Sequence, residues 1–72
     1  MAVVWAKDVR ARAQEVLSGS PVYALRELRI ERQGDTLVIQ GLVSSFYHKQ
    51  LAQEVIRTAA EGMEVVNSIQ VR

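Results

Sequence analysis

The stretch LRIERQGDTLVIQGLV, from Leu28 to Val43, decides the fold. Leu28 and Ile30 alternate with Arg29 and Glu31, the period of two that marks a strand with one buried face. Gly34-Asp35 punctuates the run, because Gly accepts a positive φ and Asp bonds to its own neighbouring backbone. From Thr36 the chain returns with Leu37, Ile39 and Val43 on one face, so the two runs predict a β-hairpin. Gly41, inside the second run, predicts a bulge or a close backbone contact. It is read here as the point where a helix crosses directly over the strand.

Upstream, Ala2 to Leu17 reads as a helix. Ala6, Val9, Ala13, Val16 and Leu17 recur at steps of three and four on one face, with Lys7, Asp8, Arg10, Arg12, Gln14 and Glu15 mostly opposite. Asp8 and Arg12 are spaced to pair on the solvent side. Gly19 and Pro21 end the helix, Gly as a left-handed cap and Pro because it cannot continue. The segment from Ser20 to Leu25 is either a single helical turn through Tyr23 to Arg26 or a plain connector.

Downstream, Ser44 or Ser45 caps a second helix running to about Ala60. Tyr47, Leu51, Val55 and Ala59 line its predicted buried face, with Ala52 and Ile56 beside them. Gly62 stops it, and Val65 to Val71 is a last strand with Val65, Ile69 and Val71 facing one way. The order helix, strand, strand, helix, strand predicts one α+β domain over residues 1–72. It is an αββαβ unit with a small three-stranded mixed sheet and both helices packed on one face. The other face is left open, showing Arg29, Glu31, Val38, Gln40, Leu42, Val66, Ser68 and Gln70.

From Leu28 onward the chain resembles the BON domain, a bacterial module named for osmotically induced and nodulation proteins. The likeness lies in Leu28-Arg29-Ile30, the turn Gly34-Asp35, and Leu37-Val38-Ile39-Gln40-Gly41-Leu42-Val43. It continues through Ser44-Ser45, an alanine-bearing helix, Gly62, and Val65-Val66-Asn67-Ser68-Ile69-Gln70-Val71. The first helix also sits where the family has one. Met63 stands in place of the family's valine, and the connection from Gly62 to Val65 is shorter than the pattern. The resemblance implies structural roles for Gly34, Gly41 and Gly62, and binding rather than catalysis. Its expected partners are phospholipid surfaces or a component of the bacterial envelope and, in some members, small ligands or potassium. It also implies an envelope or periplasmic setting, against a cytoplasmic one if the chain is complete as written.

Composition narrows the chemistry. Nine Lys+Arg against eight Asp+Glu leave a net charge of +1, too small to recruit nucleic acid or an anionic membrane by charge alone. A KH-like reading fails because no Gly-x-x-Gly loop exists. Cysteine is absent, which removes disulfides, thiolate ligands and thiol nucleophiles. The apolar run Ala2–Ala6 is too short for a signal peptide core, which needs roughly seven to fifteen residues, or for a transmembrane segment. A chain this short gains little from its core alone, so a homo-oligomer is one expected remedy.

No catalytic, cofactor-binding or metal-ligating set is predicted. His48 is the single histidine and reads as an unpaired surface residue. Ser44 and Ser45 read as caps rather than nucleophiles. The candidate binding residues are therefore Val38, Leu42 and Val66 on the open face, Phe46, and Arg10, Arg12 and Arg29. Phe46 and Tyr47 are neighbours about 100° apart on a helix, so both cannot face the core. Tyr47 fits the buried stripe, which leaves Phe46 to pack at its rim or to anchor a partner. Trp5 raises the same question. Val38, Leu42 and Val66 form either an apolar strip that something covers or an ordinary scatter of exposed aliphatics. Arg10, Arg12, Arg26, Arg29 and Arg32 are either a solvated surface paired with Asp8, Glu15, Glu27 and Glu31, or a patch for anionic headgroups.

Overall fold

A computed structural model describes the chain from Ala2 to Arg72, with side chains from Val9 onward. The readings for Trp5, Ala6 and Asp8 side chains fall outside the described residues. The first helix, α1, spans Ala2–Ser18 and buries Val9, Ala13 and Leu17, one residue per turn. Val16 is 36% exposed: with the stripe centred on residues 9, 13 and 17, a residue one step before Leu17 falls at its rim. Gly19 adopts no left-handed conformation. Its amide instead continues the helix to the Glu15 carbonyl (2.8 Å), Ser20 tightens the last turn onto Leu17 (3.2 Å), and Pro21 ends it. A 3-10 turn at Tyr23–Leu25 follows, and buries only Leu25.

Strand β1 (Arg29–Gln33) and β2 (Thr36–Gln40) form the hairpin, with Ile30 opposite Ile39 and Gln33 opposite Thr36. Gly34 has φ +63° and Asp35 no positive φ, the pattern of a II′ turn, whose twist matches that of the strands. Beyond Gly41 lies β3 (Leu42–Val43), then α2 (Phe46–Ala59), β4 (Glu64–Asn67) and β5 (Gln70–Val71). The β2–β4 and β3–β5 pairings are both parallel. Ile39 faces Asn67 and Leu42 faces Gln70, so the register does not slip at Gly41. Amides of Ser68, Gln70 and Arg72 bond the carbonyls of Ile39, Gly41 and Val43, each at 2.9 Å, which carries the ladder through the break.

The fold is thus α+β, with β2 central between β1 and β4. The inward row of Ile30, Leu37, Ile39, Val43 and Ile69 joins Val9, Ala13, Leu17, Ala52 and Ile56 in one core. Both helices pack on this face and on each other. Small residues in each buried stripe, Ala13 in one and Ala52 and Ala60 in the other, leave room for close approach.

Three further expectations are corrected. No helix lies over Gly41: its open side faces Leu28, whose Cδ2 would sit 2.5 Å from a built Cβ, and its φ is +142°. Tyr47 is 68% exposed, because the buried stripe of α2 is centred on Ala52 and Ile56; Leu51 and Ala59 of the expected row pack against the core from its rim. Val38 is buried at 8% although it points to the open face. It sits on the central strand between Glu31 and Val66, whose side chains cover it.

The outer edge of β1 is capped by α1 along its first half. Gln14 donates Nε2–H to the Leu28 carbonyl (3.0 Å) and accepts the Ile30 amide at Oε1 (2.9 Å). Arg10 donates from Nη1 to the Ile30 carbonyl (3.0 Å). One glutamine amide therefore takes the place of a neighbouring strand.

Candidate functional site

Ser45 is extended (φ −149°, ψ 151°) and its Oγ accepts the His48 amide at 3.1 Å, so of the two candidate serines it is Ser45 that opens α2. That cap fixes where the two aromatics emerge. Phe46 is 75% exposed, and Tyr23 in the 3-10 turn and Leu42 in β3 are exposed as well. Tyr23 and Leu42 line an open cleft of about 300 Å³ with Ala24, Val43 and Ser44, flanked by Glu27 and Arg72.

A second hollow, of about 550 Å³, runs along the capped edge of β1. It is lined by Arg10, Arg26 and Arg29 with Gln14, Ser18 and Glu27. Arg26 is anchored there, its Nε donating to the Ser20 carbonyl (2.7 Å) while its guanidinium lies 5.5 Å from the Tyr23 ring centre. Three arginines against one glutamate leave the groove locally cationic. Residues 23–29 join it to the apolar cleft, so charge and exposed apolar surface adjoin.

The structure therefore brings Arg10 and Arg29 together and leaves Arg12 apart. Arg12 reaches across to Glu61, a non-glycine residue at φ 52° after α2. Both partners are substantially exposed, so Arg12→Ala should cost less than about 1 kcal/mol in urea unfolding. Leu42 and Val66 remain exposed on the open face, while Val38 does not. Arg26 belongs to the arginine set that the sequence offers as a headgroup patch, and the groove gathers it while leaving out Arg32; Tyr23 was missed by sequence reasoning. A three-residue turn can bury only one side, which already belongs to Leu25, and that was the available signal.

His48 is half-buried rather than free on the surface. Its Nδ1 is buried without a hydrogen-bond partner, and its ring packs 5.6 Å from that of Tyr47. Among the described residues no acid or hydroxyl bonds to its ring, and no three His, Asp or Glu side chains gather as a metal site. No described helix is long and apolar enough to cross a membrane. No family model matches the chain, and no curated protein matches it significantly. The resemblance to the BON domain therefore rests on the order of its motifs.

Proposed function

We propose that this chain is a non-catalytic attachment module that docks on an anionic phospholipid surface, as its BON-like motifs imply. The observation that carries the reading is the adjacency of the Arg10–Arg26–Arg29 groove to the exposed Tyr23 and Leu42. Arginines hold phosphate oxygens in paired geometry, while an aromatic ring and an aliphatic side chain sit well at the headgroup boundary. The small net charge is no obstacle, since a local cluster sets the field within a Debye length.

Co-sedimentation with vesicles tests this. Binding to phosphatidylglycerol vesicles and none to phosphatidylcholine vesicles is expected at low salt, with steady loss as salt rises. Each of Arg26→Glu and Arg29→Glu should weaken it by about fivefold or more, at roughly 1 kcal/mol per basic residue. Arg12→Ala should leave it unchanged. The absence of any retention on the anionic vesicles at low ionic strength would end the proposal. A second reading, a self-assembly module, is favoured by Leu42 and Val66, which stay 49% and 40% exposed on the open sheet face.

A further inference from the structure

The two outer edges of the sheet are treated differently by the fold. That of β1 is capped along its first half by Gln14 and Arg10. Among the described residues, that of β4–β5 has no flanking strand. Glu64, Ser68, Gln70 and Arg72 give their amides inward to Asp35, Ile39, Gly41 and Val43. In a parallel ladder alternate residues serve one neighbour, so Val65, Asn67, Ile69 and Val71 direct their backbone groups outward. Asn67 closes part of this edge by accepting the Ile69 amide at Oδ1 (3.1 Å). The outward groups of Val65 and Val71, at the two ends, meet no strand.

We infer that a second copy of this chain pairs antiparallel along the β4–β5 edge, about a two-fold axis at Ser68. The inference deepens the self-assembly reading on which it rests, and moves the contact from the sheet face to its edge. Charge complementarity selects both the occupant and the register. Glu64 and Arg72 are exposed at opposite ends of the same open-face row. With the axis at Ser68, Glu64 stands opposite the partner's Arg72, twice by symmetry. Shifting the axis to Asn67 sets Glu64 against glutamine, and shifting it to Ile69 sets Arg72 against valine, so only this register pairs the charges.

The same axis puts Val65 opposite the partner's Val71. Both valines are only half-buried, because the edge strand has nothing beside it. Their outward amides and carbonyls are the ones left open, and each pair exchanges bonds at one end of the ladder. The occupied Ile69 amide leaves the centre thin, so the dimer is weak and registered by its ends. The groove above the edge, between α2 and Asn67, carries Lys49 and Arg57 against Glu54. Each copy therefore brings a net positive charge to this groove, which opposes the contact and adds to its weakness.

Sedimentation equilibrium on the intact chain, from about ten micromolar to about one millimolar, tests the inference. A monomer–dimer equilibrium is expected. Glu64→Arg and Arg72→Glu should each weaken it about tenfold, because both charge pairs become repulsions. The combination E64R/R72E should restore the dimer to within about threefold of the parent, since the pairs are rebuilt with signs exchanged. Thermal melts establish that each variant is folded. A monomer throughout overturns the inference, as does a double variant no tighter than the singles. A dimer that ignores both charge changes but disappears in Leu42→Lys overturns the edge contact and keeps the self-assembly reading through the face.

Discussion

Gly41→Ala should destabilise the domain by about 3 kcal/mol, lowering the melting temperature by roughly 15 °C. Two penalties combine. At φ +142° a side chain is strained wherever it points, and the added methyl would meet Leu28 Cδ2 at 2.5 Å and Leu28 Cα at 3.4 Å. Leu28 is itself buried at 1%, so it has little room to turn away. A domain of this size holds only roughly 4–11 kcal/mol in total, so the loss is a large share. A double-mutant cycle separates the two causes. Leu28→Ala alone should cost about 3 kcal/mol as a cavity. In that background Gly41→Ala should cost only the backbone strain, about 1–2 kcal/mol. Additive losses in the cycle would show that Leu28 is not what the glycine accommodates.

Gly41 also shows what the sequence can and cannot say. A glycine inside an alternating run announces that something approaches the backbone, and something does. The identity of the neighbour depends on strand order, which periodicity does not encode, and it proves to be the residue leading into β1 rather than a helix. The hairpin, the second helix and the final strand were legible because each carries its own period. Val38 was misread for the same reason as Gly41. Alternation assigned it correctly to the open face, but burial there comes from Glu31 and Val66 on flanking strands. Tyr47 failed differently: two apolar stripes lie side by side on α2, and the core selected the one with small Ala52 and Ala60. The cationic groove was the least legible part. Arg10, Arg26 and Arg29 come from a helix, a turn and a strand, and no spacing in the sequence brings them together.

Gln14→Leu should cost about 2 kcal/mol in urea unfolding, since it strips an acceptor from the Ile30 amide and a donor from the Leu28 carbonyl at a part-buried edge. Gln14→Glu should lose about half as much, because a carboxylate still accepts from Ile30 but cannot donate to Leu28. Hydrogen exchange gives the local readout. The Ile30 amide should exchange faster in Gln14→Leu by more than the global loss of stability explains, and unchanged relative protection would contradict the cap. The consequence reaches beyond stability. With the Leu28–Ile30 stretch at the start of β1 capped and the outward groups of Arg32 alone beyond it, a chain that pairs through β4–β5 keeps one edge long enough to take a second copy. Opening β1 gives every copy two, and a closed dimer becomes a sheet that can grow. Light scattering of Gln14→Leu should therefore rise with concentration past the dimer, and adding Glu64→Arg should suppress that growth. On this argument the glutamine amide on α1 sets the size of the assembly, although it lies on the opposite side of the sheet from the contact it limits.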